Sequence, residues 1–285
     1  MKKRIRQTLC LFLVAVTVLA FAPMQDMSAK KTSTKKKFTI TARERANYSR
    51  NCNWYFMFSS AHKKPYGGKP YSDFSLKKYS ARYVYHPKRK EVYLTFDCGY
   101  GGGQTKKILN ILKRYKIKAC FFVTSMFLNA SPKLAKRMKK EGHLVGNHTM
   151  VHPSLAGCSN HRIIHELRGV ERLMKKKTGY KLDKYFRCPY GNYSIRVLNT
   201  ARRLGYETVF WSLGWNDYSS LQPSVDYVIG RFRNHYHRGM ISIMHNSSTA
   251  DAKALPGIIK YMRSKGYKFC RFRDRPKKKK HKKKK

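Results

Sequence analysis

Two histidines, His148 and His152, stand four residues apart just past the apolar run beginning at Leu144. If the turn between them is helical, both imidazoles converge on one point, and imidazole suits zinc and its divalent neighbours. An isolated pair at this spacing is more often surface or packing chemistry, so its meaning depends on what else reaches the same place. Asp97 ends the apolar run Val92 to Phe96, where a carboxylate has no packing purpose and requires a charged or hydrogen-bonding partner. Arg187, also at the end of an apolar stretch, is the candidate partner, either in a rim salt bridge without chemistry or as the group that keeps a base ionised. His245 ends Ile241-Ser242-Ile243-Met244, and Asp217 follows the preceding run, placed to orient an imidazole and raise its pKa. Together these residues supply a base, a metal site, an acid and an orienting partner for each ionisable catalyst, which is the kit for hydrolysing an amide.

Positioning them requires a scaffold that brings strand ends together. From residue 91 onward, short apolar runs of strand length alternate with amphipathic stretches at helical spacing. Strands are expected at Val92 to Phe96, Ala119 to Val123, Leu144 to His148, Tyr185 to Arg187, Glu207 to Trp211, Met240 to His245 and Lys268 to Arg271. One intervening helix carries Ile108, Leu109, Leu112 and Tyr115 on a face, and another carries Ile163, Leu167, Val170 and Met174. A third carries Ile195, Leu198 and Leu204, with Gly205 as its stop. Ser131-Pro132 opens one more in a cap and first-turn arrangement. Strand and helix alternating about seven times implies parallel strands with helical crossovers, in a barrel or an open doubly wound sheet. In both, chemistry gathers at the C-terminal strand ends, where these reactive residues fall.

The rest of the chain reads as appendages to one core, since 285 residues do not force two domains. Lys2, Lys3, Arg4 and Arg6 precede the apolar run Leu9 to Ala22, followed by Ala20-Phe21-Ala22 and Met27-Ser28-Ala29 as cleavage candidates. Residues 1–29 are therefore an export signal or a retained anchor, and the remainder is expected outside the cytoplasm, secreted or associated with the cell envelope. Residues 30–90 read as a wrapping extension, 91–272 as the catalytic domain, and 273–285 as a lysine-rich disordered tether. The formal net charge of +49, from 63 Lys plus Arg against 14 Asp plus Glu, draws the chain toward polyanions. For an exported protein that means anionic cell-wall polymers. A nucleic-acid partner is not expected, because the basic residues are dispersed and form no recognition module. The chain is expected to be a monomer. Cys52, Cys98, Cys120, Cys158, Cys188 and Cys270 lie outside the signal, an even number that permits disulfides but matches no zinc module.

Thr95-Phe96-Asp97-Cys98-Gly99, His148-Thr149-Met150-Val151-His152, Arg187-Cys188-Pro189-Tyr190-Gly191, the Asp217 region and Ile243-Met244-His245 resemble, in order, the five motifs of the polysaccharide deacetylases of carbohydrate esterase family 4, the NodB homology domain. The resemblance spans roughly residues 91 to 272. Trp54 through Tyr100, Phe121-Phe122-Val123-Thr124, Gly142 through His148 and His245 through Leu255 are similar to the narrower branch of delta-lactam-biosynthetic de-N-acetylases. Those act on N-acetylmuramic acid in spore-forming bacteria. The resemblance implies a distorted (β/α)7 barrel with an N-terminal extension, and peptidoglycan glycan strands as substrate in a sporulation setting. It further implies Asp97 as general base paired with Arg187, and His148 and His152 as ligands of a divalent metal ion such as zinc. Tyr190 would offer its backbone N–H to the oxyanion, and His245, oriented by Asp217, would be the general acid.

Cys98 stands where most of the family has a second aspartate that ligates the metal. It could ligate as a thiolate, be a spectator beside a weakly held metal, or form a disulfide, for instance with Cys188. Tyr218 stands where a tryptophan is common. Two other functions remain open: an N-acetylglucosamine deacetylase of peptidoglycan or a chitin-like glycan, and a catalytically decayed wall-binding protein.

Overall fold

The computed structural model describes residues 38–59, 62–67 and 75–273. The expected signal segment and the lysine run beyond Arg273 lie outside the described residues. Among the described residues no helix is long and apolar enough to cross a membrane.

The N-terminal part holds helix α1 (Ala42–Ala46) and the short strands β1 (Cys52–Asn53), β2 (Phe56–Met57), β3 (Tyr66–Gly67) and β4 (Ala81–Arg82). There follow β5 (Glu91–Cys98), α2 (Thr105–Arg114), β6 (Cys120–Val123), α3 (Ser125–Ala130), α4 (Pro132–Lys140), β7 (Leu144–Asn147) and α5 (Asn160–Thr178). The chain continues through β8 (Tyr185–Phe186), β9 (Asn192–Tyr193), α6 (Ile195–Arg203), β10 (Glu207–Val209), α7 (Val225–His235), β11 (Met240–His245), α8 (Thr249–Ser264) and β12 (Lys268–Phe269).

The main sheet runs β11-β5-β6-β7-β8-β10-β4, with β12 beside the start of β5, and every pairing in it is parallel. Beyond β10 the chain reaches β11: Ile243 N–H donates to the Leu213 carbonyl at 2.9 Å, and Ser212 N–H to that of Ile241 at 2.9 Å. The sheet thus curls into the expected irregular barrel. All seven anticipated strands are present. The eighth, β4, was not anticipated, and it comes from the stretch read as a mere wrapping extension. Its two residues pair with Thr208 and Val209 of β10, a partnership that carries no local periodicity.

Alternation of side chains along parallel strands divides the core. Val92, Leu94, Phe96 and Cys98 of β5 join Ile108, Leu109 and Leu112 of α2 in the layer between sheet and helices. Tyr93, Phe122, Leu144, Val209 and Ile241 pack inside the barrel. Each fully buried leucine or isoleucine in the helical layer contributes roughly 1.5–3 kcal/mol, so Leu112→Ala would cost about 2–5 kcal/mol. Ser159, Ser194, Ser224 and Ser248 cap α5, α6, α7 and α8 through their side-chain oxygens. Ser131 sits at the cap position before Pro132 as expected, but its side chain makes no capping bond; its N–H closes α3 on the Phe127 carbonyl at 2.8 Å.

Candidate active site

Asp97 is the last inward-facing residue of β5, and Arg187 follows directly on β8. Both are buried, and Arg187 Nη1 donates to Asp97 Oδ1 at 2.8 Å. The guanidinium also donates from Nε to the Val209 carbonyl at 3.0 Å and lies 4.3 Å from the centre of the Phe122 ring. Gly146 makes that placement possible: a Cβ there would come within 2.8 Å of both Phe122 Cδ1 and the Tyr185 carbonyl oxygen.

His148 and His152 converge, but not through a helical turn. Thr149 and His152 take left-handed backbone with φ of 70° and 55°, conformations that cost a non-glycine residue energy unless its surroundings impose them. The surroundings here are polar and buried. Asn147 Oδ1 accepts from Thr149 N–H at 2.9 Å, Thr149 Oγ1 from His152 N–H at 3.1 Å, and Glu166 Oε2 from Met150 N–H at 2.8 Å. Ser125 Oγ–H donates to the Met150 carbonyl at 2.7 Å. Asn147, Glu166 and Ser125 are thus site-building residues that reading the sequence missed. The rings meet with their Nε2 atoms 3.2 Å apart. His148 Nδ1 lies 2.9 Å from the Arg187 carbonyl, which only accepts, so Nδ1 carries the proton and Nε2 presents its lone pair. His148 Nε2 is also 3.5 Å from Asp97 Oδ2.

His245, at the end of β11, is held by the buried Asp217: its backbone N–H donates to Oδ2 at 2.7 Å and its Nδ1–H to Oδ1 at 2.6 Å. That leaves Nε2 to face the cleft. Tyr190 lies on the turn Pro189–Gly191 with φ of 57°, its ring edge-on to His152 at 4.6 Å between centroids. The N-terminal part clamps this turn, because Trp54 N–H donates to the Gly191 carbonyl at 2.9 Å and β1 pairs antiparallel with β9. Trp54 is a further contributor to the site that the sequence did not single out. Asp97, His148, His152, Tyr190, Tyr218 and His245 line one cleft of about 720 Å3 at the C-terminal ends of the strands, a size typical of small-ligand sites.

The polysaccharide deacetylase family profile matches residues 85–209. The chain is 38% identical over 218 residues to the peptidoglycan-N-acetylmuramic acid deacetylase PdaA of Bacillus subtilis, covering 76% of this chain and 82% of that one. The solved structure of B. subtilis PdaA, a family 4 carbohydrate esterase, superposes with a TM-score of 0.73 at 39% identity, over 78% of this chain and 94% of the other. The chain belongs to the polysaccharide deacetylase family. A peptidoglycan-N-acetylglucosamine deacetylase of Bacillus cereus is also similar, at 30% identity over 63% of this chain and 85% of its own length. As a family 4 deacetylase the protein is a hydrolase of N-acetyl amide bonds, and its cleft is read on that footing.

The protonation pattern of the deacetylase cleft follows from burial and pairing. Burial alone would push Asp97 up, but Arg187, then His148 and His245, hold it below the ordinary carboxylate range. Burial dominates for His148 and His152, keeping both neutral, His152 down to about 4. Burial opposes the charge on His245 too, yet the hydrogen bond and charge of Asp217 outweigh it and raise the imidazole.

Two neutral imidazoles with Nε2 atoms 3.2 Å apart fit a divalent cation, since ligands at about 2.0–2.1 Å in tetrahedral array lie roughly 3.3 Å from each other. His152 Nδ1 is buried without a hydrogen-bond partner, so the ring's polar contact is the one its Nε2 makes with His148 Nε2. The pair fills two positions: among the described residues no group of three His, Cys, Asp or Glu surrounds one point. Of the three readings left open for Cys98, two lose their support. It is one residue past Asp97 on a continuing strand, so its thiol points into the helical layer and does not line the cleft. Burial, then the Asp97 charge, push that thiol well up, in keeping with a side chain turned away from the two histidines. The six described cysteines are free thiols, which removes a Cys98–Cys188 disulfide. Tyr218 is exposed at the rim, its ring 5.4 Å from that of His245.

Proposed function

We propose that this deacetylase removes the acetyl group from N-acetylmuramic acid in peptidoglycan, on the route to muramic δ-lactam in spore cortex. The observation that carries the reading is the likeness to PdaA over most of both chains, joined to a cleft holding two oppositely tuned pairs, Asp97–Arg187 and His245–Asp217.

In this reading Asp97 is the general base. Its Oδ2, free of the Arg187 bond, takes a proton from water as the water oxygen bonds to the acetamide carbon. The Tyr190 backbone N–H donates to the oxyanion that forms. His245 Nε2–H then passes its proton to the sugar nitrogen as the C–N bond breaks, releasing acetate and the free amine, while Asp217 Oδ1 keeps the ring oriented. His148 and His152 are the residues that would hold a divalent ion, with zinc suited to two imidazoles. Such an ion supplies Lewis acidity, polarising the carbonyl and lowering the pKa of water. The two histidines contribute neutrality and a fixed aim.

The same reading places the protein outside the cytoplasm. Residues 1–29 export it, 30–90 wrap the catalytic domain of 91–272, and the basic surface with the tail from residue 273 holds it, as a monomer, to anionic wall polymers. Incubating the purified protein with glycan strands, with and without their peptides, and analysing acetate and product by mass spectrometry tests the substrate. Muramic amine is the expected product. Glucosamine would move the assignment to the sugar named for the B. cereus relative, and no acetate from either would abandon catalysis in favour of wall binding.

A further inference from the structure

One carboxyl group behind the cleft has no part in these steps. Asp251, on the first turn of α8, is fully buried, as is Asp217. The two carboxyl groups are close enough to shift each other. Asp217 commits both oxygens to His245 as acceptors. Asp251 Oδ1 accepts from Trp215 Nε1–H at 3.1 Å, while no donor reaches its buried Oδ2. Two carboxylates in contact away from water cannot both be ionised. A proton on Asp251 Oδ2 turns the contact into a donated bond and satisfies both groups at once.

We propose that Asp251 is a positioning residue for the proton donor, a neutral carboxylic acid that donates a hydrogen bond to the Asp217 carboxylate and so fixes and moderates its hold on His245. The assignment rests on the reading of His245 as the acid. Its own position is fixed by Ser248, whose Oγ accepts from Asp251 N–H at 3.1 Å and donates to Gln222 Oε1 at 2.9 Å; Gln222 Nε2 in turn donates to the Asp217 carbonyl at 3.0 Å. Burial, then the Asp217 bond and charge, push the Asp251 carboxyl up to about 10, so it keeps its proton at neutral pH. Its donation is one of the influences that keep Asp217 low.

The sign of the consequence is fixed. Removing the donor makes Asp217 a stronger acceptor, which raises His245 further and moves the alkaline limb of kcat/KM to higher pH. The other groups that face His245, namely Asp97, Arg187, His148, His152 and the Tyr218 ring, are the same in every variant.

The test compares Asp251→Asn, which can still donate to Asp217 and accept from Trp215, with Asp251→Leu, which can do neither. The His245 Cε1 resonance, assigned with His245→Gln, is titrated by NMR alongside kcat/KM. The Leu variant should raise the His245 pKa by about half a unit or more and lower kcat by roughly tenfold or more, with KM little changed. The Asn variant should hold both near the parent. In the unaltered protein the Asp251 carboxyl carbon should stay at its protonated chemical shift through pH 7, a readout that needs no variant to fold. An Asp251 carboxyl that titrates below pH 5, a folded Leu variant with an unmoved His245, or an Asn variant as impaired as Leu overturns the proposal. Full activity in His245→Gln would instead remove the acid assignment, while the two NMR readouts still decide Asp251.

Discussion

Replacing Asp97 by Asn removes one charge with almost no change of volume, and the structure dictates two separable consequences. Arg187 is fully buried, its guanidinium between the Phe122 ring at 4.3 Å and the Trp211 ring at 5.6 Å. Nη1 donates to Asp97, Nε to Val209, and Nη2 has no hydrogen-bond partner. Without the carboxylate this cation has no counter-charge in the interior, and losing one member of a buried pair costs roughly 3–5 kcal/mol. The Asn carbonyl still accepts from Nη1, so the lower figure is expected. At about 2–4 °C per kcal/mol for a domain of this size, the melting temperature should fall by roughly 6–12 °C. Losing the general base should separately lower kcat by about 10²–10⁴. Acetate release and thermal melts of D97N, Arg187→Met and the double variant separate the two effects. The double variant has no unpaired interior charge, so its stability should exceed the sum of the single losses by about 1.5 kcal/mol or more, while its activity stays lost. Strictly additive losses would refute the buried pairing, and a D97N enzyme within tenfold of the parent would refute the base.

Three further outcomes are expected. His152→Ala should weaken zinc binding by at least about tenfold, 1.4 kcal/mol, read by titration with a competing chelator; an unchanged affinity removes His152 as a ligand. Cys98→Ser should leave zinc content and activity intact, while burying a hydroxyl among Leu94, Phe96 and Ile108 lowers stability by about 1–3 kcal/mol. Zinc lost from that variant would make the thiol a ligand after all. His237 is buried against Ser212 Oγ at 3.0 Å, and burial lowers its pKa to about 4. The unfolded chain takes up this proton near pH 6.5 and the folded one only near 4, so stability present above pH 6.5 is lost as pH falls between those values, by roughly 3 kcal/mol. His237→Gln should flatten that part of a urea-midpoint profile against pH, and a profile identical to the parent's would count against it.

Which parts of this were legible in the chain follows from how locally each is specified. β5, β6 and β11 are buried on both faces, so they read as continuous apolar runs, and the reactive residues could be placed at their ends. β4 has two residues and no period of its own; only its pairing with β10 makes it a strand. Nothing near in sequence decides whether the turn from His148 to His152 is helical, because Glu166, one helix further on, sets its path. Cys98 was left open for a similar reason: the two-residue period puts it opposite Asp97 only if the strand persists through both, and β5 does.

Protonation is the least local property of all. Asp97 owes its charge to Arg187, 90 residues away, and His245 its proton to Asp217, 28 residues earlier. The types of the reactive residues are therefore readable, while their charge states are not, because each is decided across the barrel. The same reasoning explains why Asp251 attracts no notice in the sequence, where it is an acidic residue near a helix start and nothing more. It acquires a role only when the fold buries it against a second carboxyl group, and burial leaves that pair no choice but to share a proton.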